Sequence, residues 1–119
     1  MKLFIGLMIF TILLSCNVTR QNLYISYKLH EGMTMPEVES IMGKPMKSDF
    51  YKNVEEWHYC KTSTVDEHLA LFFYNSKLIA KKNYTVTSVD TKGAYGSCEK
   101  FIKMGNYREP DAVTEIRIR

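Results

Sequence analysis

Three histidines and three cysteines are the residues best suited to chemistry: His30, His58, His68, Cys16, Cys60 and Cys98. A metal site could be assembled from Cys60, Cys98, His58 and His68. No two of these stand at a helical ligand spacing, however, and no CxxC pair exists. His58 and His68 could meet across neighbouring strands, but no base sits beside an unpaired nucleophile. GxSxG, HExxH and phosphate-loop motifs are absent. The reading is therefore of no catalytic residue, no metal and no cofactor. Asp66 and Glu67 sit in a polar stretch and read as solvated. Charge adds no nucleic-acid function: the net balance is +3, or +2 without Lys2, and the basic residues are scattered. The pairs Lys81–Lys82 and Arg117/Arg119 read as solvated faces.

Cys16 stands apart because of what precedes it. Lys2 is followed by an apolar run, Leu3 to Leu14, interrupted only by Gly6 and Thr11. As a helix it would reach about 18 Å, short of a hydrocarbon core of ~30 Å. It reads as a secretory leader over residues 1–15 and not as a membrane span. The run ends Leu13-Leu14-Ser15-Cys16, which resembles the bacterial lipobox. That resemblance implies a lipid on the Cys16 thiol, cleavage before it and acylation of the new amine. Several acyl chains make a durable anchor where one does not. Asn17 follows in place of the aspartate that retains such proteins at the inner membrane. The resemblance thus implies an outer-membrane location facing the periplasm. The sequons at Asn17 and Asn83 read as accidental beside a bacterial leader.

With Cys16 lipidated, Cys60 and Cys98 remain as a pair in an oxidising compartment, where a disulfide is the favoured reading over a metal. It would close a loop of about 39 residues. Chain entropy values that closure at roughly 4 kcal/mol at most, large for a domain of this size.

The elements that must position these residues follow from pattern. Thr34 is a helix N-cap, and Glu37 completes a capping box. Met33 and Val38 can staple the start, and Pro36 fits the first turn. Gly43 and Pro45 end the helix, giving Met35–Met42. Strands are expected over Lys47–Tyr51, Glu55–Lys61 and His68–Tyr74, then a long or broken strand over Leu78–Val89. In the second strand Trp57 and Tyr59 share one face, while Glu56, His58 and Cys60 share the other. In the third, Leu69, Leu71 and Phe73 oppose Ala70, Phe72 and Tyr74, so both faces look covered. Beyond Gly96 a short helix is expected from Ser97 to Met104, and a final strand over Val113–Ile118. Residues 16–29 read as a tether, and residues 30–119 as one domain with a C-terminal extension from about 92. The fold class is α+β: short helices on a small antiparallel sheet.

These elements carry a family resemblance. Gly32-Met33-Thr34 leads into the helix, Gly43-Lys44-Pro45 ends it, and Trp57–Tyr59 lies on a strand. Phe73-Tyr74-Asn75-Ser76-Lys77-Leu78 then forms a turn. Over roughly residues 30–82 this resembles the SmpA/OmlA domain of BamE-like lipoproteins, within the wider β-lactamase-inhibitor-protein-like fold. The resemblance implies a non-enzymatic accessory protein that touches an outer-membrane or periplasmic protein, in barrel assembly or another envelope role. The alternative it implies is an inhibitor or exclusion factor that binds an enzyme or receptor, with Asp49–Glu56 as its loop. Two features depart from the family: a weak pattern over residues 20–31, where a first helix belongs, and the tail from about Lys92. The tail could add an edge strand or cover the second sheet face; a Cys60–Cys98 bond favours covering. Phe72, Tyr74 and Tyr84 are accordingly either a partner-binding face or a second core beneath the tail.

Overall fold

The computed structural model describes residues 21–62, 66–91 and 98–118. Four strands pair in chain order into one antiparallel sheet: β1 (Lys47–Tyr51), β2 (Val54–Thr62), β3 (Asp66–Tyr74) and β4 (Lys77–Val86). Together with two short helices this is the expected α+β arrangement. Each two-residue hairpin turn has positive φ at both positions, Lys52–Asn53 and Asn75–Ser76. That backbone matches the right-handed twist of the flanking strands. The β3–β4 register shifts at Phe72/Phe73, so Phe72 faces Ala80 while Phe73 faces Leu78. Ile79 is the extra residue of this bulge and packs on the second face.

Helix α1 (Met35–Met42) has the expected bounds and both bonds of the capping box. The Glu37 N–H donates to Thr34 Oγ1 at 3.4 Å, and the Thr34 N–H to Glu37 Oε2 at 3.3 Å. Val38 is buried, and Ile41 and Met42 pack beside it against the first face of the sheet. That face carries Trp57, Tyr59, Leu69, Leu71, Phe73 and Leu78. Burying a side chain of this size contributes about 1.5–3 kcal/mol.

The packed chain begins earlier than the expected tether allows. Residues 24–28 form a 3-10 turn flanked by buried Leu23 and Leu29. Gln21 also bonds to the fold, accepting from the Cys60 N–H at 2.9 Å and donating to the Lys44 carbonyl at 2.9 Å. Two leucines and a glutamine, too sparse to form a pattern, suffice here because the sheet supplies their partners.

The C-terminal extension covers the second face, with a helix where a strand is expected. Val113–Ile118 is not a strand but part of helix α2 (Asp111–Ile118). Pro110 supplies a start, its carbonyl accepting from the N–H groups of Val113 and Thr114. Val113 and Ile116, three apart, face the sheet, and Ile118 is left outside. A helical period explains those burials and alternation does not. The expected helix from Ser97 to Met104 is a shorter 3-10 turn, Cys98–Phe101. β4 stops at Val86, where Asp90 Oδ2 accepts from the Thr87 N–H at 2.8 Å and turns the chain. Gly105, with φ of 62°, lies so close to β4 that any Cβ would overlap the Thr85 carbonyl.

Candidate functional site

The second face of the sheet holds a buried polar cluster centred on Glu56. Alternation along β2 places Glu56 and His58 on that face, beneath the extension, and both are 0% exposed. Glu56 is met by four donors. Lys103 Nζ lies 2.7 Å and His58 Nε2 3.2 Å from Oε2. Arg117 Nη2 lies 3.0 Å from Oε1, and the Tyr107 hydroxyl donates to the same oxygen at 3.3 Å. Three of the four belong to the extension. Arg117 also pairs through Nη1 with Glu109 at 2.9 Å, closing the network within the extension.

The network continues away from Glu56. The Lys103 backbone N–H donates to the Tyr84 hydroxyl oxygen at 3.1 Å, and that hydroxyl lies 3.1 Å from His58 Nδ1. For a neutral ring the order is fixed: Tyr84 O–H donates to Nδ1, and Nε2–H donates to Glu56. Burial raises the Glu56 pKa. The hydrogen bonds from His58 and Lys103 and the charges of Lys103 and Arg117 outweigh that and hold it at about 2. Burial pushes the Tyr84 phenol up to about 12, and burial with the nearby Glu56 charge pushes Tyr107 up as well. Each side chain of the cluster bonds to another, Arg117 through Nη1 and Nη2 while its Nε is buried without a partner, so the cluster clamps the extension to the sheet.

The predicted residues fall as follows. Cys60 and Cys98 are joined in a disulfide with Cα atoms 6.1 Å apart, which ties the extension to β2 beside the cluster. Phe72 and Tyr84 are not a surface: they are 0% and 2% exposed, in the second core with Val54, Val86 and Val113. Tyr74 sits at the rim of that core. Phe72 and Tyr84 thus take the alternative reading, a second core beneath the extension, while Tyr74 stays partly exposed. His58 and His68 share a face but are not directly opposite. His58 pairs with Ala70, and His68 with Cys60. His68 stacks on Tyr84 at 4.6 Å, and neither of its ring nitrogens has a partner. Burial, with the nearby His58 adding to it, lowers its pKa to about 4. Cys16 lies outside the described residues. Among those described, no three of His, Cys, Asp and Glu are grouped to hold a metal ion.

Sequence reading missed Lys103, Tyr107, Arg117 and the role of Glu56. One signal was available: an acid on the same strand face as a cysteine expected to be covered must be neutralised by whatever covers it.

The remaining candidates for recognition are exposed aromatics. Tyr24 and Tyr27 are 83% and 64% exposed, with ring centroids 5.5 Å apart, beside an open groove of about 560 Å³ lined by Leu23, Lys61, Glu67 and Lys81. Phe50 and Tyr51 are exposed on the first hairpin, with Lys52 and Arg117 over the Tyr51 ring.

Compared with known families, residues 25–87 match the outer membrane protein assembly factor BamE domain. The chain belongs to the BamE domain family. No curated protein and no solved structure matches it. The BamE match spans the first 3-10 turn from its second residue, α1 and all four strands. The extension that carries Lys103, Tyr107 and Arg117 lies beyond the matched residues.

Proposed function

We propose that this chain is a lipid-anchored accessory protein of the outer membrane that assists β-barrel assembly by protein contact, without chemistry of its own. The observation that carries the reading is the BamE domain match over residues 25–87. The leader over residues 1–15 and the lipobox ending at Cys16 support the anchoring. Cys16 precedes Gln21 by five residues, a span of at most about 18 Å. An anchor there would hold the domain close to the bilayer on its periplasmic side. The exposed Tyr24 and Tyr27 supply the contact chemistry, since aromatic residues are enriched in interface cores. Two measurements test this. Fatty-acid labelling is expected to mark the wild type and not Cys16→Ala. A detergent-extract pulldown is expected to recover barrel-assembly components. Recovery of no envelope protein would overturn the accessory role.

A second reading, an inhibitor or exclusion factor, is supported by the exposed Phe50 and Tyr51 within Asp49–Glu56. It would move ahead if deletion left envelope permeability intact and changed sensitivity to one phage or hydrolase.

A further inference from the structure

The sheet has four boundaries, two faces and two edges. The first face is covered by α1 and the first 3-10 turn, the second by the extension. The outer edge of β4 is bonded at its two ends. The Gly32 N–H donates to the Leu78 carbonyl and the Leu78 N–H to that of Met33, each at 2.8 Å. Further along, the Thr85 N–H donates to Asn106 Oδ1 at 2.7 Å, and the Asn106 N–H to the Thr85 carbonyl at 3.3 Å. Among the described residues, no strand pairs with the outer edge of β1.

An open strand edge is a template for another strand, and proteins usually blunt such edges. The sequence along β1 does something different. Met46-Lys47-Ser48-Asp49-Phe50 is complementary to itself when read antiparallel about Ser48. In that register Lys47 faces Asp49 of the second copy, and Asp49 faces its Lys47. Met46, the residue just before β1, stands opposite Phe50 in the same register. The sides agree as well. β1 pairing places Lys47 and Asp49 on the second face of the sheet, and Ser48 and Phe50 on the first. Charge therefore meets charge on the second face, and Ser48 meets its own copy on the first. Moving the register by two residues sets Asp49 against Asp49, and like charges directly opposite are destabilising. Moving it by one sets opposite faces together. The groups involved are available: the Lys47 and Asp49 side chains are 51% and 39% exposed, and Phe50 is 72% exposed. Within one copy Lys47 reaches Asp49 only at 3.9 Å, and Lys103 reaches it at 3.5 Å.

We propose that two copies of this chain pair through the outer edges of β1, antiparallel, about a two-fold axis at Ser48, making one continuous eight-stranded sheet. Two-fold pairing of one surface with itself is the commonest symmetry of homo-oligomers. A five-residue edge buries little area, so the dimer is a weak one and is best read by trapping it.

The axis supplies the trap. Residues directly opposite hold their Cβ atoms roughly 4.5–5.5 Å apart, close to disulfide reach. The full chain carrying Ser48→Cys, purified in detergent and treated with a mild oxidant, is expected to form a covalent dimer on a non-reducing gel. Lys52→Cys, off the axis, is expected to stay monomeric. Adding Lys47→Asp to Ser48→Cys sets acid against acid twice, and the dimer yield is expected to fall about tenfold. Mixing those chains with Asp49→Lys/Ser48→Cys chains restores both pairs, and a covalent heterodimer is expected from partners that do not self-associate. Circular dichroism checks that each variant is folded. Should Asp49→Lys fail to fold, mixing Lys47→Asp chains with otherwise wild-type Ser48→Cys chains keeps one of the two pairs and is expected to give an intermediate yield. Absence of the Ser48→Cys dimer would overturn the proposal. So would equal cross-linking at Lys52→Cys, or a yield indifferent to the Lys47 and Asp49 charges.

Discussion

Glu56 and His68 lie on the same buried face and answer acid differently. Glu56 has a folded pKa of about 2 against an ordinary 4.5. A depressed carboxylate contributes stability that is complete above 4.5 and is lost as pH falls from there toward 2. A shift of that size corresponds to about 3 kcal/mol. Glu56→Gln is expected to destabilise the domain by about 3 kcal/mol, because it leaves Lys103 and Arg117 facing no charge. Urea unfolding at pH 7 measures the loss, and the variant should show a flattened pH dependence below 4.5. His68 has a folded pKa of about 4 against 6.5. Its neutral ring is favoured in the fold, so stability is complete above 6.5 and declines between 6.5 and 4. Both ring nitrogens are buried without partners, a cost that an apolar ring avoids. His68→Phe should keep the stack on Tyr84, leave stability at pH 7 equal or higher, and remove the decline between 6.5 and 4. Urea midpoints measured across that range check both statements.

The extension shows how elements combine. Helix α2 has eight residues, too few to be stable alone in water. It persists because Val113 and Ile116 bury against the sheet, Arg117 reaches Glu56, and the Cys60–Cys98 bond restricts the loop ahead of it. Replacing both cysteines by alanine is expected to lower stability by roughly 3–4 kcal/mol in the chain-entropy account. It should also make residues 98–118 the first segment cut in limited proteolysis. Mass spectrometry of the fragments checks the order. The elements themselves differed in how legible they were. α1 was readable to the residue because its signals are local: a capping box, a proline in the first turn and a glycine stop. α2 reads as a strand because Val-Thr-Glu-Ile-Arg-Ile over 113–118 fits either period, and only the sheet beneath it selects the helix. The first 3-10 turn reads as tether because its leucines have meaning only against a core built from distant strands.

At the scale of the whole molecule, the chain is a family domain with a second layer added. The BamE match accounts for one covered face, and the extension covers the other. Ending the chain after Val89 would remove Cys98, Phe101, Tyr107 and Val113 and uncover Phe72, Tyr84 and Val86. Such a chain is expected to bind a hydrophobic dye strongly and to lose its cooperative thermal transition; dye fluorescence and calorimetry read the two effects. Recognition then falls to what the layers leave open: the Tyr24/Tyr27 pair, the Phe50–Tyr51 hairpin and the edge of β1.

Sequence alone determined the features that depend on neighbours along the chain. The alternation of β2 and β3 assigned Trp57 and Tyr59 to one face and Glu56, His58 and Cys60 to the other. The caps bounded α1, the glycines and proline carried the family likeness, and cysteine parity paired Cys60 with Cys98. Tertiary structure decided what a buried acid does. Glu56 on its face was legible. Lys103, Tyr107 and Arg117, 47 to 61 residues further along, were not, because a charge removed from water selects its partners by position in space. No spacing in the chain records that choice until the extension has folded over the sheet.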